Sequence, residues 1–248
     1  MLRKRLIVVL TLNDGVLFRT RNFIPDYRYT INFVDAWSVD EIVLLDITRP
    51  GRGTRENFYG VVRQFAQNCF VPLAVGGGIK NVEEIRFLLS IGADKVVINT
   101  AAVQTPSLVT EASRLFGSQC IVVSIDAKKN PQEDYEVLTS FGTEPTGLHP
   151  ATWAKEAQTL GAGEILITSI DKDGSLEGYD NDLNKIVSAA VEVPALVCGG
   201  AGKWQDFVDG FVVGQASAVC TTNIYHFTET SIKSAKRFLN KAGILVRV

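Results

Sequence analysis

Two long stretches of this chain repeat each other. VPLAVGGGIKNVEEIRFLLSIGADKVVINTAAV begins at Val71 and VPALVCGGAGKWQDFVDGFVVGQASAVCTTNIY begins at Val193, and they align without a gap. Each holds an apolar run, a glycine cluster, an amphipathic segment and a second apolar run. Asp46 mirrors Asp171 in the same way, each just past an apolar run. A fixed internal repeat implies equivalent structural units. The halves are about 1–120 and 121–248, and with no low-complexity linker between them they read as one domain, 1–248.

Eight short apolar, β-branched runs recur, at residues 6–12, 41–47, 72–75, 95–99, 121–125, 164–170, 195–198 and 218–221. Segments with helical spacing separate them. In NVEEIRFLLSIGA, Val82, Ile85, Leu88 and Leu89 share a face and Gly92 is the stop. In HPATWAKEAQTLGA, Trp153, Ala157 and Leu160 share a face and Gly161 is the stop. Strands alternating with helices predict parallel βαβ units. Eight such units predict a closed (β/α)8 TIM barrel made of two fused half-barrels.

The bulk composition fits that fold. A 248-residue chain with 46% apolar and 21% charged residues can bury a sizeable core. A net charge of −2 disfavours a nucleic-acid partner. The four cysteines, Cys69, Cys120, Cys198 and Cys220, form no CxxC pair, and only two histidines accompany them. They read as reduced core residues, and no metal or cofactor is expected. The apolar run at residues 6–12 is too short to span a membrane and lacks a small-residue cleavage site, so a cytoplasmic location is expected.

Chemistry concentrates at strand ends. The clusters VGGGI, from Val75, and CGGAG, from Cys198, each follow a strand and precede a helix. Glycine lets the backbone approach an anion, and amides at a helix start point at it. A tight strand–helix turn is the plainer reading of either cluster alone. Two in symmetric positions, each followed by a further loop (NTAA from Asn99, TTNI from Thr221), suit a ligand with a phosphate at each end. Asp126 ends strand five, where a catalytic acid would sit, and Asp46, Asp171 and Asp173 end strands at the same mouth. Loop capping is the alternative, strongest for Asp173 in the turn-like DKDG. At the opposite ends of the strands stand Arg5, Glu41, Lys95 and Glu164. Solvated strand starts are the plain reading, but the alternating signs permit a closed ring of ion pairs about the barrel axis.

The segments MLRKRLIVVL, NDGVLFRTRNF, VLLDIT, VGGGI, GADKVVINTAAV, FGSQCIVVSIDAK, GAGEILITSIDKDGSLEGYD and CGGAGK resemble the cyclase (synthase) subunit family of imidazole glycerol phosphate synthase, over essentially the whole chain. That enzyme is a glutamine-dependent amidotransferase of histidine biosynthesis. The resemblance implies a glutaminase subunit docked on the N-terminal barrel face, with Asp94 facing it. It implies an ammonia gate of Arg5, Glu41, Lys95 and Glu164. It implies one phosphate site at Gly77, Gly78, Asn99 and Thr100, and another at Asp171, Asp173, Gly174, Gly199, Gly200, Gly202 and the end of strand eight. It implies catalytic aspartates at Asp126 and at position 11.

Position 11 is Thr11. A neutral hydroxyl is a poor proton-transfer partner near neutral pH, and losing such a group lowers rates by about 10²–10⁴. Other departures share that mouth. Arg19 stands where the family has Lys, Asn223 lies in the strand-eight loop, and TRPGRGTREN brings in Arg49, Arg52 and Arg55 after Asp46. The expected protein is a divergent paralogue that keeps ammonia entry and has lost ordinary cyclisation. It resembles paralogues tied to surface-sugar amidination, which would need a phosphorylated small molecule or a separate amidating enzyme at the C-terminal face. The alternatives are a genuine histidine-pathway cyclase, a non-catalytic barrel that activates its glutaminase, and an unrelated phosphosugar isomerase.

Overall fold

The computed structural model describes residues 3–28, 39–221 and 232–247. Eight parallel strands close a barrel in the order β1 (Arg5–Asn13), β4 (Glu41–Asp46), β5 (Leu73–Gly76), β6 (Lys95–Ile98), β7 (Ile121–Lys129), β10 (Glu164–Ser169), β11 (Ala195–Cys198) and β12 (Ala218–Thr221). The ring closes where Arg5 pairs with Ala218 and Leu6 with Val219. The halves join where Val96 pairs with Ile121. Outside lie α1 (Arg55–Asn68), α2 (Val82–Ser90), α3 (Thr100–Gln104), α4 (Ser107–Phe116), α5 (Pro150–Leu160), α6 (Asn181–Ser188), α7 (Trp204–Val212) and α8 (Ile232–Lys241).

The sequence repeat reappears in strand lengths. β1 and β7 have 9 residues each, β4 and β10 have 6, and β5, β6, β11 and β12 have 4. Both long strands run past the barrel wall and fold back as antiparallel hairpins. β1 turns at Asp14–Gly15, both at positive φ, into β2 (Val16–Arg21), which pairs on to β3 (Ile24–Arg28). β7 returns as β8 (Tyr135–Thr139) and β9 (Glu144–Pro145). The apolar runs stop at residues 12 and 125, short of these strand ends. The extensions are hairpin arms above the C-terminal mouth, so they carry no barrel pattern.

Strand alternation sorts the side chains into two cores. Leu6, Val8, Leu10 and Leu12 of β1 point outward, where they join the layer under the helices with Phe58, Ile85, Trp153 and Phe207. Ile7 and Val9 point inward with Val43, Ala74, Val97, Val122, Leu166, Leu196, Ala218 and Cys220. The next inward position of β1, above Val9, is Thr11. The apolar faces expected on α2 and α5 are the buried ones, at Val82, Ile85 and Leu88, and at Trp153 and Ala157.

Candidate functional site

A cavity of about 730 Å³ occupies the C-terminal mouth of the barrel, where barrel enzymes place their sites. Of the residues singled out in the sequence, it gathers Thr11, Arg19, Asp46, Gly77, Gly78, Asn99, Thr100, Asp126, Asp173, Gly174, Gly199 and Gly200. Its floor reaches Val9, Val97, Leu166 and Cys220 of the inner core.

Asp126 reaches the floor from β7. Its Oδ2 accepts from Asn99 Nδ2 at 2.6 Å and its Oδ1 from Ser124 Oγ at 3.4 Å. Protein surrounds it on all sides but the cavity. Burial pushes its carboxyl up to about 7, with Asp173 adding to the rise while Asn99, Ser124 and Thr168 hold it down. An acid poised there can give or take a proton near neutrality. Asn99 Oδ1 is buried with no partner among the described residues.

Thr11 is on the opposite wall. Its hydroxyl donates to the Phe18 carbonyl across the β1–β2 hairpin. It thus serves its own turn, and no carboxylate stands at that position. Asp173 serves a related end. Its Oδ1 accepts from Thr20 Oγ1 at 3.1 Å and its Oδ2 from the Phe23 N–H at 3.0 Å, which ties the β2–β3 hairpin to the loop after β10. Burial raises its carboxyl, against those two donors and the Arg19 charge.

The glycine loops repay their residue type. Gly77 has φ +102°, and a Cβ there would sit 2.2 Å from the Asp46 carbonyl oxygen; at Gly200, φ is +112° and the Gly178 oxygen would be 2.1 Å away. Gly77→Ala should destabilise the protein by at least about 2 kcal/mol, from strain plus overpacking. Urea denaturation of the variant measures it, and a loss under about 0.5 kcal/mol, within ordinary surface scatter, would show that the loop relaxes.

Loop 49–55 delivers two of its three arginines. Arg55 Nη1 and Nη2 donate to the carbonyls of Gly78 and Gly77 at 2.7 and 2.9 Å. Arg49 lies 5.0 Å over the Phe141 ring, and both residues line the cavity. Arg52 is exposed outside it.

Two expected ligands of the second anion loop do not line the cavity. Asp171 is exposed and accepts from the Lys129 N–H at 3.2 Å, because the chain turns outward before Asp173 turns in. Gly202 donates its N–H to Asp206 Oδ2 at 2.8 Å, in the start of α7. Asn223 lies outside the described residues. The sequence reading missed Ser124 and Thr168, which strand alternation from Asp126 and Glu164 reveals, and Phe23, Lys80 and Phe141, for which it held no signal.

At the opposite end of the axis, four side chains close a ring. Arg5 lies 2.7 Å from Glu41 and 2.8 Å from Glu164, and Lys95 lies 2.9 Å from Glu41 and 2.8 Å from Glu164. Glu41 is 1% exposed. Burial raises its carboxyl despite two cations, with Glu164 adding to the rise against Lys95 and Arg5. The neighbouring Asp94 is exposed, and its Oδ2 accepts from the Leu73 N–H at 2.8 Å.

A closed eight-strand parallel barrel with paired glycine loops and an acid at its C-terminal mouth defines the protein as a (β/α)8 barrel with its candidate site at that end. The family described as Histidine biosynthesis protein matches residues 7–231, and the chain belongs to that family.

Proposed function

We propose that this chain is the synthase-type subunit of a glutamine-dependent amidotransferase. A glutaminase docks on the N-terminal face, and ammonia enters through the ring of Arg5, Glu41, Lys95 and Glu164. It passes up the inner core to an acceptor at the cavity. The acceptor is a sugar destined for amidination, either in the cavity or on a separate enzyme at that face.

One observation carries this reading. The charged ring is complete, with four ion pairs, whereas the mouth has one carboxylate poised near neutrality and a threonine hydroxyl turned to its own hairpin. The N-terminal face also suits a partner. Phe70 at 76% and Val212 at 64% are exposed there, on segments that lead into β5 and β12, as is Leu245 at 67%, whose carbonyl accepts from the Lys4 N–H just before β1. Exposed apolar groups around a charged centre are typical of protein docking surfaces.

The test supplies purified barrel with a glutaminase subunit from the same source. Glutamate release should rise at least about tenfold over the glutaminase alone, the size of a 1.4 kcal/mol coupling. Cyclisation of the histidine-pathway intermediate with ammonium salt should stay at least about 10²-fold below an ordinary cyclase, the low end for a lost proton-transfer group. Thr11→Asp should recover only a small part of it, since Arg19 and Arg49 also reshape the mouth. Wild-type turnover of about 1–10³ s⁻¹ would replace this reading with a genuine histidine-pathway cyclase. Stimulated glutaminase with no transfer of nitrogen to any acceptor would leave a barrel that only activates its partner.

A further inference from the structure

The ring residues stand at the first positions of their strands, where a ladder is weakest. Glu41 opens the β1–β4 ladder opposite Ile7, so Arg5 lies ahead of the first pair. Strand ends open more readily than strand centres, and a slip of one residue turns every side chain to the other face. A ring of four charges at that edge therefore needs its strand starts held.

The residue before Glu41 does this. The Asp40 N–H donates to the Leu6 carbonyl at 3.0 Å, and Asp40 Oδ2 accepts from the Leu6 N–H at 2.8 Å. Asp40 thus grips the residue after Arg5 by both its backbone groups. Asp94, before Lys95, grips Leu73 in the same way, with both bonds at 2.8 Å. The residue before Glu164 is Gly163, which has only the backbone half of the grip, to the Ile121 carbonyl at 2.9 Å. Asp40 differs from Asp94 in its second oxygen. Asp94 is exposed, whereas Asp40 Oδ1 accepts from Lys236 Nζ of α8 at 2.7 Å, and the two side chains are only 7% and 6% exposed. The chain after α8 then reaches the neighbouring strand. The Lys4 N–H, one residue ahead of Arg5, donates to the Leu245 carbonyl at 3.0 Å.

We propose that Lys236 and Asp40 are positioning residues of the charged ring. Lys236 keeps the dry Asp40 carboxylate charged and aimed at Leu6. Asp40 in turn keeps Arg5 and Glu41 in register across the β1–β4 edge, where they meet at 2.7 Å. A buried pair of this kind adds little net stability over apolar packing, while loss of one partner strands a charge. Its contribution is geometric: it fixes where two of the four ring residues stand. This deepens the proposed function by naming the brace of its entry ring, and it rests on that reading only for the ring's role in ammonia entry.

The test follows hydrogen exchange of the Arg5 guanidinium and Lys95 ammonium protons by NMR in the full chain. The slowest backbone amides of the barrel serve as the reference for global opening. Lys236→Met should speed ring exchange by at least about tenfold beyond any change in that reference, since local opening is separate from global unfolding. Loss of a merely structural contact would speed both by one factor. Asp40→Asn combined with Lys236→Met keeps an oxygen for the Leu6 N–H and strands no charge, so ring exchange should return near the wild-type rate. Asp40→Ala combined with Lys236→Met balances the charge but removes the grip, so ring exchange should stay fast. If Lys236→Met does not fold, the two double variants make the comparison alone. Ring exchange that tracks the reference in Lys236→Met, or that is equal in the two double variants, would overturn the proposal. Glutaminase stimulation enters none of these readouts, so a barrel without it would overturn the proposed function and leave this inference in place.

Discussion

Asp126→Asn should make the protein more stable at pH 8, by about 2–4 kcal/mol, the linkage worth of a carboxyl this far displaced. That carboxyl is pushed up to about 7 from an ordinary 3.8, chiefly by burial. Every tenfold change in proton affinity is worth about 1.4 kcal/mol between the protonation states, and the side open to the cavity trims the sum. The sign follows from proton linkage. The folded state holds this proton more tightly than the unfolded chain does. The stability it contributes is therefore complete below about pH 4, the ordinary value of an unfolded aspartate, and is lost as pH rises through about 7. Asparagine keeps the shape, can still accept from Asn99, and cannot ionise. The gap between variant and wild type should be near zero at the lower of these values and should open between the two. Urea denaturation across that range measures it. Asp173 and Glu41 also have raised carboxyls, but both proteins carry them, so their effects largely cancel in the difference. A gap that is flat with pH would mean that Asp126 ionises as freely as a surface aspartate.

That trade of stability for a poised acid explains what is legible in the sequence. The repeat and the alternation of strand and helix specify the barrel because both are long-range periodicities that only one closed topology satisfies. Asp126 is readable for a simpler reason: it directly follows the apolar run of β7, and the ends of those runs mark the mouth. Arg5, Glu41, Lys95 and Glu164 are readable by the same logic at the other end.

The misses have a different origin. Asp14–Gly15 is a strong two-residue hairpin signal, yet the apolar run before it marks only the end of a strand. Pairing Asn13 with Val16 starts a hairpin whose outer part, at Thr20 and Phe23, is held by Asp173, 150 residues further along at the Phe23 contact. No local pattern announces such a contact. Asp171 and Gly202 are misplaced by the sequence pattern for a related reason. The repeat fixes where a loop lies, while single hydrogen bonds, to Lys129 and Asp206, decide which of its residues face the cavity.

The charged ring carries the other large effect. Glu41→Gln should destabilise the protein by about 3–5 kcal/mol, the range for breaking one partner of a buried ion pair. In the wild type two cations and two carboxylates balance, and Glu41 touches both Arg5 and Lys95 within 3.0 Å. Removing its charge leaves Arg5 and Lys95 sharing Glu164 alone, with one positive charge in excess at a largely dry position. A second change, Lys95→Met, restores the balance as a single Arg5–Glu164 pair. The double variant should therefore recover most of the loss, although each change alone is harmful. Such recovery is the mark of a pair whose attraction little more than offsets its desolvation, so the ring adds little net stability over apolar packing. Its presence then calls for a reason other than stability, which the proposed entry of ammonia supplies. Denaturation of the wild type, both single variants and the double variant closes the cycle. Partial burial predicts that about 0.5 M salt changes the coupling little, since screening acts mainly on exposed pairs. A single-variant loss under about 1 kcal/mol, the exposed-pair range, would place the ring in free solvent and remove the argument for a gate.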